Sequence, residues 1–205
     1  RQMCIRDRFK TILSKLYHWK IYVVGSVEYQ YPNHLFQAGY FLDKKYYDEN
    51  TIDFKHLLLS EKNQSLLKDI QNSNSVGVHI RRGDYMTKQN LVIFGNICTQ
   101  KYYHDAIRII TEKVNDAVFY VFSDDISWVQ THLDIPNAVY VNWNTGESSI
   151  YDMYLMSSCK YNIIANSTFS YWAARLNKKT NMVIYPSKWY NTFTPDIFPE
   201  SWCGI

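Results

Sequence analysis

The sequence has no C-x-x-C pair, no internal repeat, no low-complexity tract and no long unbroken apolar run. Its four cysteines, Cys4, Cys98, Cys159 and Cys203, are scattered, which removes zinc-site spacing and argues against a disulfide framework in a chain of this size. They read as reduced thiols of a cytoplasmic protein. The stretch FKTILSKLYHWKIYVV at 9–24 is interrupted by Lys10, Lys15 and Lys20. It therefore falls short of the roughly 18 to 20 apolar residues of a membrane span and lacks the form of a signal peptide. Without a secretory signal, the sequons at Asn63 and Asn166 read as chance matches. A net charge of +3, carried by basic residues that are spread out, gives no footprint for nucleic acid.

What is present is a globular composition. Hydrophobic residues make up 46% and charged residues 20%, enough to build a core and too apolar for disorder. Aromatics reach 17%, with 18 Tyr and 6 Trp, a richness common where rings stack on sugars but equally able to fill a core. Beta-branched runs at 75–80, 118–123, 138–142, 161–165 and 182–185 read as strands. Between them, 100–114 sets Tyr103, Ala106, Ile107, Ile110 and Val114 on one helical face, and 148–158 and 168–177 read as further helices. Apolar strands alternating with helices imply a Rossmann-like parallel sheet covered on both faces over 75–205. Residues 1–74, with clustered aromatics and a helix near 55–72, read as a separate amino-terminal portion.

In such a sheet, ligands bind beyond the carboxyl ends of the strands. Three polar clusters fall there. His79, Arg81, Arg82 and Asp84 follow the first strand, Ser123, Asp124 and Asp125 the second, and Asn166, Ser167 and Thr168 the fourth. Adjacent guanidinium forks suit phosphate or carboxylate, and Gly83 allows a sharp turn after them. A helix opening at 166–168 offers free N–H groups to an anion. Asp124 and Asp125 can accept hydrogen bonds from a ribose or a base amino group. Each cluster also has a purely structural reading. The arginines can pair with Asp84 and other carboxylates, the Ser-Asp-Asp and Asn-Ser-Thr runs can be helix caps, and His79 can be a core histidine. Glu147, Asp152, Lys160 and Lys188 carry nothing that separates them from a solvated surface. The Arg82-Gly83-Asp84 tripeptide abuts a buried strand, which sets aside an adhesion role.

The wording and order of "HIRRGDY" (79–85), "VFSDD" (121–125) and "NSTFSYWAA" (166–174) resemble the donor-site motifs of the bacterial α-1,2-fucosyltransferases, glycosyltransferase family eleven. The resemblance runs from "GYFLDKKYY" at 39–47 to the carboxyl end. It implies a GT-B-type glycosyltransferase of two Rossmann-like halves, the second binding GDP-fucose, and transfer of fucose with inversion to the 2-hydroxyl of a terminal galactose. It also implies no metal and no cofactor. Carried over by position, Arg81 holds the donor diphosphate and Arg82 supports it. Ser123, Asp124 and Asp125 lie where the nucleoside is held, and Asn166, Ser167, Thr168 and Phe169 where phosphates and nucleotide are contacted. Asp84 is the candidate base for the acceptor hydroxyl, with His79 the second candidate; Asp84 could instead hold an arginine in place.

The family's glycine-rich G-N-Q-(F or M)-F-Q opening has no counterpart here. The resemblance therefore implies a partial acceptor-side domain over 1–74, with "RQMCIRDR" foreign to the pattern. Two alternatives stay open: a non-catalytic nucleotide- or glycan-binding fragment, and a metal-dependent sugar-nucleotide transferase using Asp124 and Asp125. The expected location is cytoplasmic, with peripheral contact at the inner face of the membrane and no transmembrane segment.

Overall fold

The computed structural model describes the backbone of Tyr22–Val24 and Phe36–Ala38 and the whole of residues 53–205. By its internal contacts the chain divides into two units, Arg1–Thr51 with Pro195–Ile197, and Ile52–Thr194 with Phe198–Ile205. In the first, strands β1 (Tyr22–Val24) and β2 (Phe36–Ala38) form a parallel pair, Tyr22 against Phe36 and Val24 against Ala38. Most of the sequence reading of 9–24 and 39–47 lies outside the described residues.

The second unit is built on six parallel strands: β3 (Asn74–Ile80), β4 (Ala117–Ser123), β5 (Ala138–Val141), β6 (Tyr161–Ile163), β7 (Met182–Tyr185) and β8 (Cys203–Gly204). Their order is β5-β4-β3-β6-β7-β8. The five predicted strands are all present; β8 was not legible, because two residues paired to β7 carry no periodic signal. The chain runs outward from β3 through β4 to β5, then returns to the other side of β3 and runs out through β6. The strand order therefore reverses between β3 and β6, and the crevice of a doubly wound sheet opens at such a point.

Alternation along the strands assigns the two faces. Val76, Val78 and Ile80 of β3 and Phe119 and Val121 of β4 pack with Tyr103, Ala106, Ile107 and Ile110 of one helix (Gln100–Lys113) and with Val129 of another (Ile126–His132). Tyr120 and Phe122 face the other way. They pack with Leu66 and Ile70 of helix α1 (Glu61–Asn72), Leu155 and Met156 of a helix at Ser149–Ser157, and Ala173 and Ala174 of a helix at Thr168–Arg175. Numbered in chain order with Lys88–Phe94 as α2, these helices are α3, α4, α5 and α6 respectively. Ile70 and Ile110 are fully buried, so truncating either to Ala would cost about 2–5 kcal/mol.

Helix α1 starts at Glu61, where the Ser60 hydroxyl accepts the Asn63 N–H, and not at 55. Its apolar stripe is in the sheet's core. It therefore belongs to the domain the sequence reading began at 75, and the division between units falls at 51/52. Gly77, at the middle of β3, is a packing position: a Cβ there would meet Asn162 Nδ2 at 2.9 Å and Met156 Cγ at 3.0 Å.

Candidate functional site

Parallel in-register pairing brings the first two polar clusters together. His79 lies opposite Phe122 and Ile80 opposite Ser123, so the residues that follow, Arg81 and Arg82, emerge beside Asp124 and Asp125. Arg81 Nη1 lies 2.8 Å from Asp124 Oδ2, and Arg82 Nε lies 3.1 Å from Asp125 Oδ2. The Arg82 backbone N–H also donates to Asp124 Oδ1 at 2.9 Å. Each aspartate thus has a positional partner that neither motif reveals alone.

The two arginines differ in how they are held. The Arg82 guanidinium stacks 3.7 Å above the Trp128 ring, which in turn stacks on His132 with centroids 4.6 Å apart. Its side chain is 19% exposed. Asp125 caps α4 through Trp128 N–H at 3.1 Å, and the Ser123 hydroxyl accepts the Asp125 N–H at 3.0 Å, so the Arg82 partner is itself fixed. The hydrogen bond from Arg82 holds the Asp125 carboxyl below the usual carboxylate range. Arg81, at 34% exposure, reaches Asp84 with Nη2 at 2.7 Å on its other side.

Asp84 lies in a single 3-10 turn (Gly83–Met86) and is 58% exposed. The turn sits against Asp124, and a Cβ at Gly83 would come within 2.5 Å of Asp124 Oδ2, so glycine here permits the close approach. Tyr85 ties the turn to the third cluster: its hydroxyl donates to the Asn166 carbonyl at 2.9 Å and its ring stacks on Phe94. Both charges of the Arg82-Gly83-Asp84 tripeptide are therefore taken up by neighbours outside it, Arg82 by Asp125 and Asp84 by Arg81.

Asn166 is 3% exposed, with its side chain spent on the protein. Its amide donates to the Trp189 carbonyl at 3.0 Å and the Phe94 carbonyl at 3.3 Å, and its Oδ1 accepts from Cys98 Sγ at 3.4 Å. Burial pushes the Cys98 thiol up to about 12, leaving it inert. Ser167 precedes α6 without a side-chain capping bond, and Thr168 and Phe169 form its first turn. The amide groups of that turn have no intrahelical acceptor. Asn63, at 1% exposure, and Asn166 are both buried, which agrees with reading the two sequons as chance.

His79 is 5% exposed and lies against the Phe169 ring at 5.1 Å. Burial, with a smaller contribution from the Arg81 charge, lowers its pKa to about 3. Among the described residues its Nδ1 finds no hydrogen-bond partner, while its carbonyl accepts from the Tyr103 hydroxyl at 3.1 Å.

Sequence comparison fixes the family. The sequence model of Glycosyl transferase family 11 matches residues 2–205. The chain belongs to glycosyltransferase family 11. Among curated relatives, an alpha-1,2-colitosyltransferase of Escherichia coli is 35% identical over 88% of this chain and 63% of its own length. An O-antigen biosynthesis glycosyltransferase, WbnK of Escherichia coli, is 44% identical over 58% of this chain and 40% of its own. A galactoside alpha-(1,2)-fucosyltransferase 2 of Pongo pygmaeus is 28% identical over 73% and 48% respectively. The chain thus spans between 40% and 63% of the length of these relatives. Among solved structures, the fucosyltransferase NodZ from Bradyrhizobium aligns at TM-score 0.40 and 18% identity, over 58% of this chain and 42% of that one.

In this family 11 chain, the three motifs meet at one end of the sheet around β3, β4 and α6. Among the described residues no group of three or more His, Cys, Asp and Glu side chains is arranged to hold a metal ion, and no helix is long and apolar enough to cross a membrane.

Trp143 and Asn144 at the same rim escaped the sequence reading, and they join Asn63 and Asp152, which it gave no structural role. Asn63, Trp143, Asn144 and Asp152 form one network: Trp143 Nε1 donates to Asn63 Oδ1 at 2.8 Å, and Asn144 Nδ2 donates to Asp152 Oδ1 at 2.7 Å. Asp152, taken from the sequence as a surface charge, is 8% exposed, and burial raises its carboxyl to about 7 against the opposing Asn144 hydrogen bond. The overlooked signal was its setting, a single charge inside the apolar helix SIYDMYLMS. Trp128 had a signal too, three residues after the Asp125 cap on the helix edge that faces Arg82.

Proposed function

We propose that the described domain is the donor-binding half of a GT-B-type enzyme, and that it binds GDP-fucose and directs transfer of L-fucose to the 2-hydroxyl of a terminal galactose. The observation that carries this reading is the position of Arg81. It is a permanently charged fork at the carboxyl end of the central strand, at the point where the strand order reverses, on the rim from which α6 also begins. A guanidinium and a helix start together suit a diphosphate, whose charge grows as the sugar–oxygen bond breaks.

In this reading Arg81 meets the diphosphate, and the first-turn amides of Thr168 and Phe169 assist from α6. Arg82, Asp124 and Asp125 act by positioning, since their charges are spent on one another and on Arg81. Ser123 and Asn166 likewise hold backbone. Attack by the acceptor oxygen on C1 forms the new glycosidic bond, breaks the bond to the β-phosphate oxygen and inverts the carbon. GDP leaves, and the hydroxyl proton passes to Asp84. Asp84 is preferred to His79 as the base because it is exposed, whereas burial makes His79 a very weak proton acceptor. No metal is assigned, because Asp124 and Asp125 turn toward different arginines and do not converge.

A colitosyl donor is the second reading, favoured by the 35% identity to the colitosyltransferase over 88% of the chain. One relative named for O-antigen biosynthesis supports a bacterial surface glycan, assembled at the cytoplasmic face of the membrane, as acceptor. The test is product analysis by mass spectrometry with GDP-fucose and GDP-colitose, each with and without lactose and EDTA. Fucosyl-lactose formed equally with EDTA supports the proposal. Product from GDP-colitose alone selects the second reading, turnover that requires added Mn²⁺ overturns the metal-free mechanism, and no donor cleavage at all favours a binding fragment.

A further inference from the structure

The charges at the rim do not favour an anion as they stand. Two guanidinium groups, Arg81 and Arg82, face three carboxylates, Asp84, Asp124 and Asp125. A diphosphate arriving here meets an excess of negative charge, and the fork meant for it already has a carboxylate on each side. One of those carboxylates has to give way, and the three are not equally free. Asp125 caps α4 and is bound to Arg82, which is itself stacked on Trp128. Asp124 holds the Arg82 N–H and is packed on Gly83 too closely for any side chain there. Asp84 alone is more than half exposed, and the hydrogen bond from Arg81 is the only one its carboxylate accepts among the described residues.

We infer that Asp84 is an exchangeable counter-ion of Arg81, displaced from it by the nucleotide diphosphate. This rests on the diphosphate reading of Arg81 and adds an order to it. While the donor is absent, Asp84 is engaged with the guanidinium and unavailable to a hydroxyl. The diphosphate takes over Arg81 Nη2 and frees the Asp84 carboxylate beside the sugar it has just delivered. The base is thus exposed only when there is a donor to react, and donor binds before acceptor. Asp124 keeps Arg81 Nη1 throughout and preserves the direction of the fork.

The inference and the plain alternative, that Asp84 holds Arg81 ready for the nucleotide, differ in the sign of one effect. Asp84→Asn keeps the size of an exposed side chain and removes its charge. An exchangeable counter-ion competes with the ligand, so its loss should tighten GDP binding, about threefold to tenfold for a partly exposed pair and one fewer repelling charge. A positioning residue supports the ligand, so its loss should weaken binding. The experiment is calorimetric titration of GDP into the parent chain, Asp84→Asn, Asp84→Ala and Arg81→Ala, with melting curves recorded for each. The expected result is tighter GDP binding in both Asp84 variants and its loss in Arg81→Ala. If Arg81→Ala loses binding while the Asp84 variants bind as the parent or more weakly, the exchange is wrong and the diphosphate reading stands. GDP binding that survives in Arg81→Ala, or is absent from the parent, overturns both.

Discussion

At the β3 end of the sheet's carboxyl rim, two arginines and three aspartates pair at side-chain exposures between 19% and 58%. At the β5 end of the same rim, Asn63, Trp143, Asn144 and Asp152 make an equally polar cluster, but Asp152 is buried, with Lys62 lying over the Trp143 ring 3.7 Å from its centroid. In the first cluster each carboxylate has a guanidinium for a partner. In the second the carboxylate has an amide for a partner, which cannot offset its charge, so burial favours the protonated form. Polar groups at a strand end therefore do not have one meaning. Charge compensation and solvent access decide whether such a group can exchange partners with a ligand or is bound up with the fold.

The contrast can be broken in three places. The largest effect is expected at Arg81. Arg81→Ala should lower the transfer rate about a hundred- to a thousandfold if it stabilises the leaving diphosphate, and Arg81→Lys should recover only part, since charge returns without the fork. A steady-state assay with GDP-fucose and lactose measures this, and a tenfold or smaller loss in Arg81→Ala would remove Arg81 from the chemistry.

Second is Asp152. Its folded pKa is raised to about 7, so its stabilising contribution is full below the unfolded carboxylate range. It is lost as pH rises from about 4 through 7, by an amount on the order of 2–4 kcal/mol. Asp152→Asn should erase that slope, gaining stability relative to the parent between pH 5 and pH 8 in denaturant melts. Parallel pH profiles for the two proteins would show that Asp152 does not titrate in this range.

The smallest effect, with the opposite sign, belongs to Asp125, whose carboxyl is held down chiefly by the Arg82 hydrogen bond. Its contribution is present above the usual carboxylate range and is lost as pH falls through the folded value. Asp125→Asn, which keeps an acceptor for the Trp128 N–H, should therefore differ from the parent at neutral pH and converge with it in acid. A constant difference across the acid range would contradict the pairing.

Much of this was legible in the residues. Apolar periodicity located all five longer strands of the sheet and the helix at 100–113, because burial on both faces writes a continuous beta-branched signal. Motif order placed Arg81, Asp124 and Ser167 on one rim. What the sequence could not give was pairing. That Arg81 meets Asp124, and Arg82 meets Asp125, follows from the register of β3 on β4, a long-range property with no local trace. Asn166 read as a cap or a ligand contact, yet its amide is turned inward to the Trp189 and Phe94 carbonyls. Helix α2 escaped because its Leu91, Val92, Ile93 and Phe94 run together without amphipathic spacing, and none of them is buried.

The central claim, that the β3 end of the rim is a diphosphate site centred on Arg81, is tested most directly by titrating GDP and guanosine side by side into the parent chain and Arg81→Ala. The account predicts that GDP binds the parent far more tightly than guanosine and that most of this difference vanishes in the variant. Equal affinities for GDP and guanosine in the parent, or a difference unchanged by Arg81→Ala, would contradict it.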